Sequence, residues 1–597
     1  MRLDYKNNRL EWVLIGVNVL TAAMVAATFV LLFGFDKPQL PAWILHLLQV
    51  LLLCVFVAEK VIRLFNSTSK VQFLRVNWYE IPLLLFLIVA VIGARHWFAP
   101  TSEEAATVRH FAVGIYLVLQ VIIKLCRTSI NLAASGRNPM QTLIASFVVL
   151  IISGAGLLML PVANSGGQNL NFVDALFTST SATCVTGLIV KDTGRDFSLI
   201  GQVVILTLIQ LGGLGIVVFG AVLALLLGQA FGVRESVAMQ DLLNARTLNR
   251  IGNMIAFIFI GTVLIEAIGA VSLFWTWDDS ASWSSGMHNQ WFCSIFHSIS
   301  AFCNAGFSLF NKSFIDYNRS WQIYVVVCPL IILGGLGFSV LYDLINIAAD
   351  RIKRLLKKCF FKKYRFSMEA PKRTQLQTKI VLSVSAFLII IGAMAILFFE
   401  HYASGNDSRQ KVGILGALFQ SITARTAGFN TIDIKAMSAS SKFVLILLMF
   451  IGGSPGSTAG GIKTVTLAVI VMTVIAALRK RPEVEMFNRS IRIVVVGRAI
   501  TVTVLFIVVL FTTTLALSVT ENSNGFRMMD ILFEAGSALG TVGLTTGITP
   551  SLTIAGKLII ITTMLIGRLG PMTLLAALTF NLKPARYSYP EESIIVG

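Results

Sequence analysis

Long apolar runs alternate with short polar interruptions over most of the chain. Runs of about 18 to 25 residues recur, the length a helix needs to cross a hydrocarbon layer roughly 30 Å thick. About twelve such spans are expected. Four come first, near residues 10–34, 42–65, 79–98 and 108–126, and eight follow, separated by shorter apolar segments. The first run, Trp12 to Phe35, is too long for the apolar core of a signal peptide and leads into a second span, which predicts an uncleaved anchor.

Charge sets the orientation. Lys60, Arg63, Lys70 and Arg75 lie between the second and third runs, and Lys124, Arg127 and Arg137 after the fourth. Two richer segments follow: Asp350 to Lys379 holds eleven Lys or Arg against two acids, and Leu478 to Arg498 holds six against two. Basic residues accumulate in loops on the cytoplasmic side. An even number of spans satisfies all four segments, which predicts a multi-pass protein of the cytoplasmic (inner) membrane with both termini inside.

Composition agrees. Of 597 residues, 56% are hydrophobic and 13% charged, against roughly 45 to 50% and about 25% in soluble domains. The net charge of +19 would suggest nucleic acid in a soluble chain, but here it sits in inter-span loops, so no nucleic-acid partner is expected. Seven cysteines form no CxxC pair, and six scattered histidines lack metal-ligand spacing, so no transition-metal site is predicted. No GxGxxG or Walker motif is present. No enzymatic constellation emerges.

A motif occurs four times in the last 450 residues: Phe177 to Leu188 (FTSTSATCVTGL), Phe296 to Phe307 (FHSISAFCNAGF), Phe419 to Phe429 (FQSITARTAGF) and Phe533 to Leu544 (FEAGSALGTVGL). Its glycines are Gly187, Gly306, Gly428 and Gly543, at intervals of 119, 122 and 115. A second landmark follows each, at Gly212-Gly213, Gly334-Gly335, Gly452-Gly453 and Gly567-Arg568. Each unit reads as span, half-helix, glycine loop, span. The third has one residue fewer between its phenylalanine and its glycine, which implies a deletion or a shifted half-helix.

Such short half-helices leave irregular backbone at membrane depth, where unpaired peptide groups survive only inside protein or along a water-filled path. Four of them imply a central pore. A cation filter replaces the ion's water with backbone carbonyls, and glycine permits the positive φ values this needs. Half-helices ending at the axis add partial negative charge there, so no carboxylate is required, and none is expected beside the filter glycines. The blander explanation is that these glycines serve close helix packing. It gives no reason for a Ser/Thr-rich half-helix before each one.

These segments, together with GGSPGSTAGGIKT and GRLGP further on, resemble the Trk/Ktr/HKT superfamily of potassium transporters, in particular the bacterial Trk/Ktr membrane subunit. The resemblance covers residues 142–582. It implies an all-α fold of four pseudo-symmetric helix–pore-loop–helix repeats around a pore, preceded by an extension of about four helices. The divisions are 1–141 for the extension, 142–250, 251–377, 378–489 and 490–582 for the repeats, and 583–597 for a cytoplasmic tail.

It further implies that Cys184, Val185, Thr186 and Gly187, Cys303, Asn304, Ala305 and Gly306, Thr426, Ala427 and Gly428, and Thr541, Val542 and Gly543 line a filter for potassium, K+ being the transported ion rather than a cofactor. Glycine at the first filter position favours potassium over sodium within that superfamily. Cys184 and Cys303 stand where relatives often have Thr or Asn.

The segment from Gly452 to Lys463 places five glycines and a proline in twelve residues, which no continuous helix tolerates. Its residues Gly452, Gly453, Ser454, Pro455, Gly456, Ser457, Thr458, Ala459, Gly460, Gly461 and Lys463 are expected to form a gate below the filter, or else a static kink. Arg568, an arginine within a span, is expected to face the aqueous interior near that gate, or to be tied to a buried acid or to carbonyls. Glu266 reads equally as a relay or a structural acid, and His297 as a residue bonded to pore-helix neighbours. A homodimer and a cytosolic nucleotide-binding regulatory subunit are implied by the resemblance, the latter docking on the basic loops; anionic membrane lipid is an alternative occupant there. Alternatives for the whole are the potassium-binding subunit of an ATP-driven pump, or a sodium- or proton-coupled potassium symporter.

Overall fold

A computed structural model describes residues 6–35, 40–77, 80–93, 139–167, 170–215, 251–277, 290–360, 372–403 and 412–571, with isolated positions between 109 and 120. The expected tail 583–597, the middle of the first basic loop and the residues after the first repeat's second span lie outside the described residues.

The fold is helical. In the extension, α1 (Asn8–Phe33), α2 (Ala42–Asn66), the short α3 (Lys70–Val76) and α4 (Glu80–Gly93) come first. Val25, Leu52, Phe56, Leu87, Val113, Tyr116 and Leu117 share one core, so all four N-terminal apolar segments pack together. Charges inside this bundle are paired: Glu59 receives Arg63 at 2.6 Å and Asn18 at 2.8 Å, Arg63 also reaches Glu11 at 3.1 Å, and Lys60 meets Glu80. An unpaired charge in hydrocarbon would cost several kcal/mol. The bundle touches the rest of the chain where Val162 N donates to Gly34 O.

Four repeats follow. The first comprises α5 (Pro139–Leu158), α6 (Phe172–Thr183) and α7 (Leu199–Leu214). The second has α8 (Ile251–Leu273), α9 (Gln290–Cys303), α10 (Cys328–Leu336) and α11 (Phe338–Phe360). The third has α12 (Leu376–Ala403), α13 (Ile414–Thr423), α14 (Ala439–Phe450) and α15 (Thr464–Leu478). The fourth has α16 (Ile493–Thr520), α17 (Met528–Gly540) and α18 (Ile554–Leu569). The leading helices α8, α12 and α16 are long and apolar enough to cross a membrane. They expose apolar side chains such as Ile260, Phe387 and Phe511 on their outer faces, as lipid requires.

The second members differ from the continuous spans expected. Helix α7 stops at Gly215, α10 at Gly337 and α18 at Gly570, each with φ between +83 and +87°. Where the chain is described beyond such a stop, α11 leaves α10 at 105°. Among the described residues, a stop at a left-handed glycine is thus shared by the first, second and fourth repeats, and a broken second helix is not confined to the third. Among the described residues, five helices are long and apolar enough to span, six counting the bent pair. Pro329, which lacks an N–H, sits at the start of α10, and the ladder before it loosens into a π-helical turn over Ile323–Val327.

The second basic segment contains a small β-hairpin, β1 (Val484–Met486) against β2 (Arg489–Ile491), turned by Phe487 and Asn488, both left-handed. At the centre, Phe177, Phe296, Phe419 and Phe533, which open the four motifs, have no exposed surface. Each packs its half-helix against the preceding repeat: Phe296 shares a core with Ala155 and Ile205 of the first, Phe419 with Leu273 and Ile331 of the second, Phe533 with Ile396 and Leu445 of the third, and Phe177 with Phe506 and Ile560 of the fourth.

Candidate ion pathway

Three of the four half-helices are buttressed the same way. Ser179 donates to Ile151 O at 2.7 Å, Ser298 to Glu266 O at 2.7 Å and Ser421 to Ile389 O at 2.9 Å, tying α6, α9 and α13 to their leading helices. The fourth copy has Ala535 at this place, packed into the core instead.

Past each half-helix the backbone turns left-handed twice. The four glycines have φ of 90, 69, 81 and 92°, and the residues two before them, Val185, Asn304, Thr426 and Thr541, have φ of 58, 59, 79 and 51°. Three of these four are β-branched, for which the left-handed region is costly, on the order of 1 to 3 kcal/mol each. That conformation persists because the half-helix takes up the strand amides. Thr186 N donates to Ser181 O, Ala305 N to Ser300 O and Val542 N to Ser537 O, each at 2.8 Å, and Ala427 N to Thr423 O at 2.9 Å. The Ser181 and Ser537 hydroxyls accept from Gly187 N and Gly543 N, both at 3.1 Å. With the amides turned back into the protein, the carbonyls are the groups left to meet an ion.

The four strands close a ring. A Cβ placed on Gly187 would strike Ala305 O and lie 2.9 Å from Gly306 Cα; on Gly306 it would lie 3.0 Å from both Ala427 O and Gly428 Cα. On Gly428 it would strike Val542 O and lie 3.3 Å from Gly543 Cα; on Gly543 it would strike Thr186 O and lie 3.0 Å from Gly187 Cα. Each glycine thus faces the next strand in the order one, two, three, four and back to one.

Of the sequence-predicted filter residues, the structure brings Val185, Thr186 and Gly187, Asn304, Ala305 and Gly306, Thr426, Ala427 and Gly428, and Thr541, Val542 and Gly543 to this ring. It draws Cys184 and Cys303 away. Cys184 caps α6 with right-handed helical backbone, and Cys303 is the last residue of α9. The Cys303 thiol turns outward to Gln210 at 3.5 Å and Glu266 at 3.8 Å, and Gln210 donates to Glu266 at 3.1 Å. Glu266 therefore braces the back of the second half-helix. The expectation that no carboxylate lies beside the filter glycines is corrected by Glu534. It is fully buried in α17 and accepts from Thr545, two residues beyond Gly543, at 2.8 Å, and from Thr549. His297 holds the corresponding place in the second repeat: its Nδ1 faces Cys293 O at 2.8 Å, and its Nε2 accepts from Leu309 N at 3.3 Å.

Below the ring, the segment from Ile451 to Lys463 crosses the interior. Its ends pair, Gly452 N donating to Ile462 O at 2.9 Å and Ile462 N to Phe450 O at 3.2 Å. Its middle reaches other repeats. Ser454 N donates to Gly335 O at 3.0 Å and the Thr458 hydroxyl to Gly334 O at 3.2 Å; Asn304 Nδ2 donates to that hydroxyl at 3.3 Å. Gly460 lies so close to Thr541 that a Cβ would strike its hydroxyl. The segment thus touches strands two and four of the ring. Lys463 folds back on Ala459 O at 2.7 Å.

Arg568 bridges this segment to the first repeat. Its guanidinium donates to Thr458 O, to Gly212 O at 2.5 Å and to Gly213 O at 3.3 Å. Its partners are carbonyls of the landmark and loop backbones, and among the described residues it makes no ion pair. Gly212, Gly334 and Gly567 each abut the carbonyl of a half-helix end, at Thr183, Phe302 and Leu539, and a side chain there would push the helices apart.

Comparison with known proteins matches this geometry to a family. Residues 106–587 fit the TrkH family model, described as a cation transport protein. The chain is 38% identical over 462 residues to the Ktr system potassium uptake protein B of Bacillus subtilis (strain 168), spanning 77% of this chain and 97% of that one. It is 36% identical over 469 residues to the potassium/sodium uptake protein NtpJ of Enterococcus hirae, with the same coverage of 77% and 97%. The crystal structure of the potassium transporter TrkH from Vibrio parahaemolyticus aligns with a TM-score of 0.54 at 19% identity, covering 85% of this chain and 96% of that one. Residues 1–105 precede the matched region.

Proposed function

The chain belongs to the TrkH family of cation transport proteins, and from that premise we propose that it takes up potassium across the cytoplasmic membrane through the ring of four strands. The observation that carries this reading is the ring itself, closed in sequence order by Gly187, Gly306, Gly428 and Gly543. Carbonyls on four sides suit a cation that sheds its water on entry. The buried half-helices α6, α9, α13 and α17 point their C-terminal partial negative charge toward the same place.

The segment Gly452 to Lys463 is the gate in this reading, held across the path beneath the ring, and Arg568 is its latch. Flux runs when the loop leaves Gly334, Gly335 and Arg568 and the inner cavity becomes continuous with the ring. A cytosolic nucleotide-binding subunit, docking on the basic segments 350–379 or 478–498, would control that step, and a second copy of the chain completes a dimer. The relatives' names as potassium uptake proteins support the cargo.

The test is ion flux in liposomes holding the purified chain alone. Rubidium and potassium are expected to pass in preference to sodium, with no requirement for ATP. Equal permeation of sodium and potassium, or potassium moved against its electrochemical gradient at the expense of ATP hydrolysis, overturns the assignment.

A further inference from the structure

The first basic segment begins as a helix of unusual placement. Helix α11 starts directly after the bend at Gly337 and runs 105° away from α10. Its depth is fixed independently. Asp343, in its second turn, accepts from Gln375 N at 3.1 Å and from the Thr378 hydroxyl at 2.7 Å, at the start of the membrane-crossing α12. The basic segment before α12 reads as cytoplasmic, and the 105° bend turns α11 away from the direction of α10 at that boundary, which suits a helix running along the membrane surface.

Its side chains divide accordingly. Val340 and Ile347 are buried, with Val340 and Leu341 packed beside Val381 of α12 and Phe257 of α8. Ile345, Ile352, Leu355 and Leu356 are 52, 56, 61 and 51% exposed and fall on one stripe at helical spacing. Arg351 and Lys353 flank that stripe on its two sides, both exposed, and Arg354 is held by Asp350 at 2.8 Å. An exposed apolar stripe bordered by cations, on a helix lying along a bilayer boundary, is the pattern of an interfacial helix: aliphatic side chains enter the acyl region and the bordering cations meet headgroup phosphates. The helix is also wired to the inner loop. Phe338 N donates to Gly456 O at 3.0 Å, and Gly337 packs on Pro455 O, 2.8 Å from where a Cβ would sit.

We propose that α11 binds the cytoplasmic leaflet by seating Ile345, Ile352, Leu355 and Leu356 in the acyl region and Arg351 and Lys353 on the phosphates of anionic lipids, and that this anchorage sets the position of the loop around Gly456. Lipid composition thereby becomes a regulator of conduction. The regulatory part rests on the transport function proposed above; the placement of α11 does not.

Two measurements on the full chain separate these parts. In a background with Cys54 and Cys359 changed to serine, an environment-sensitive fluorophore is attached at Ile352→Cys or, on the opposite side of the helix, at Arg354→Cys. In vesicles of brominated phosphatidylcholine with phosphatidylglycerol, the Ile352→Cys label is expected to be quenched and the Arg354→Cys label to remain in water. Equal quenching at both, or at neither, removes the interfacial placement; protection of the Ile352→Cys label only when a second protein subunit is added assigns the face to a protein partner instead.

Rubidium uptake is then compared in vesicles of phosphatidylcholine alone and in vesicles with about one third phosphatidylglycerol, where the anionic lipid is expected to change uptake at least about threefold. Arg351→Gln with Lys353→Gln should erase that dependence while Ile352 labelling still reports a folded helix, and soluble glycerol phosphate should not substitute for the lipid. Unchanged dependence in the double variant overturns the assignment of the headgroup contacts. Absence of any rubidium flux in both lipids, with quenching intact, overturns the transport reading and leaves α11 at the interface.

Discussion

The ring and the loop beneath it are both glycine-rich and both irregular, yet they are built on opposite terms. In the ring, a side chain added to any of the four glycines would meet backbone of the neighbouring strand, and strained left-handed residues are pinned by amide bonds into the half-helices. In the loop the glycines divide: a Cβ on Gly452 or Gly460 would strike a neighbour, whereas Gly456 at its tip has nothing within 4 Å of where its Cβ would be, and the segment is tied to other elements through Gly334, Gly335, Phe338 and Arg568. Glycine serves close approach throughout the first and freedom only at the tip of the second. In the proposed function, rigidity at the ring would let carbonyl spacing select an ion, and the open tip of the loop would let the segment move without breaking a helix.

The widest separation between the two regions should come from one substitution in each. Gly543→Ala drives a Cβ into Thr186 O and is expected to cut rubidium uptake at least about tenfold, equivalent to roughly 1.4 kcal/mol on the barrier. Gly456→Ala meets no atom, bears only a left-handed backbone cost of about 1 to 2 kcal/mol, and should keep uptake within about threefold of the unaltered protein. Comparable losses at matched expression would erase the distinction.

Releasing the loop sharpens it from the other side. In the proposed function Arg568 is a positive charge on the path, and at an effective dielectric of about 20 two like charges roughly 5 Å apart repel by approximately 3 kcal/mol. Arg568→Ala also removes the bonds to Thr458 O and Gly212 O. Unregulated uptake is expected to rise, by up to about two decades, with potassium still preferred over sodium. Uptake at or below the original level, with folding intact, makes the loop a static kink.

A smaller effect is expected where the regions touch. Asn304→Ala and Thr458→Ala each break the contact at 3.3 Å between filter strand two and the loop. The double variant should raise uptake no further than either single, with a coupling of about 0.5 to 1.5 kcal/mol. Strict additivity would mean that the loop does not sense the filter. Smallest of all, Ser181→Ala or Ser537→Ala removes one support of a glycine amide at 3.1 Å and should lower the potassium-to-sodium ratio by several-fold, about 1 kcal/mol, with total uptake nearly unchanged.

Much of this architecture is legible in the chain. The four glycines, the phenylalanine opening each motif and the landmark pairs locate the ring and its supports. The one-residue offset of the third motif is absorbed ahead of the filter: α13 ends at Thr423, and Thr426 keeps the left-handed conformation two residues before Gly428, as in the other strands. What was not read has physical reasons. Val185, Thr426 and Thr541 carry no sequence signal for positive φ, because their conformation is imposed by amide bonds from elsewhere. The breaks at Gly215, Gly337 and Gly570 stand two residues after each landmark within apolar text, where hydropathy alone reads one continuous span. Cys184 and Cys303 sit one residue too early for the ring, since the half-helix extends up to or through them. Glu534 escaped notice because nine residues separate it from Gly543 along the chain, while the helix and the returning loop bring it to Thr545.

The ring is closed by one polypeptide, in chain order, and no two of its walls are alike: VTG, NAG, TAG and TVG. In an assembly of four identical subunits every mutation is made four times at once, and the coordination shell changes all together or not at all. Here a single codon alters one quarter of the shell. If the ring is the filter proposed above, ion preference is adjusted in graded steps, wall by wall, and variants at equivalent positions form a series in which the dose of a substitution runs from one to four.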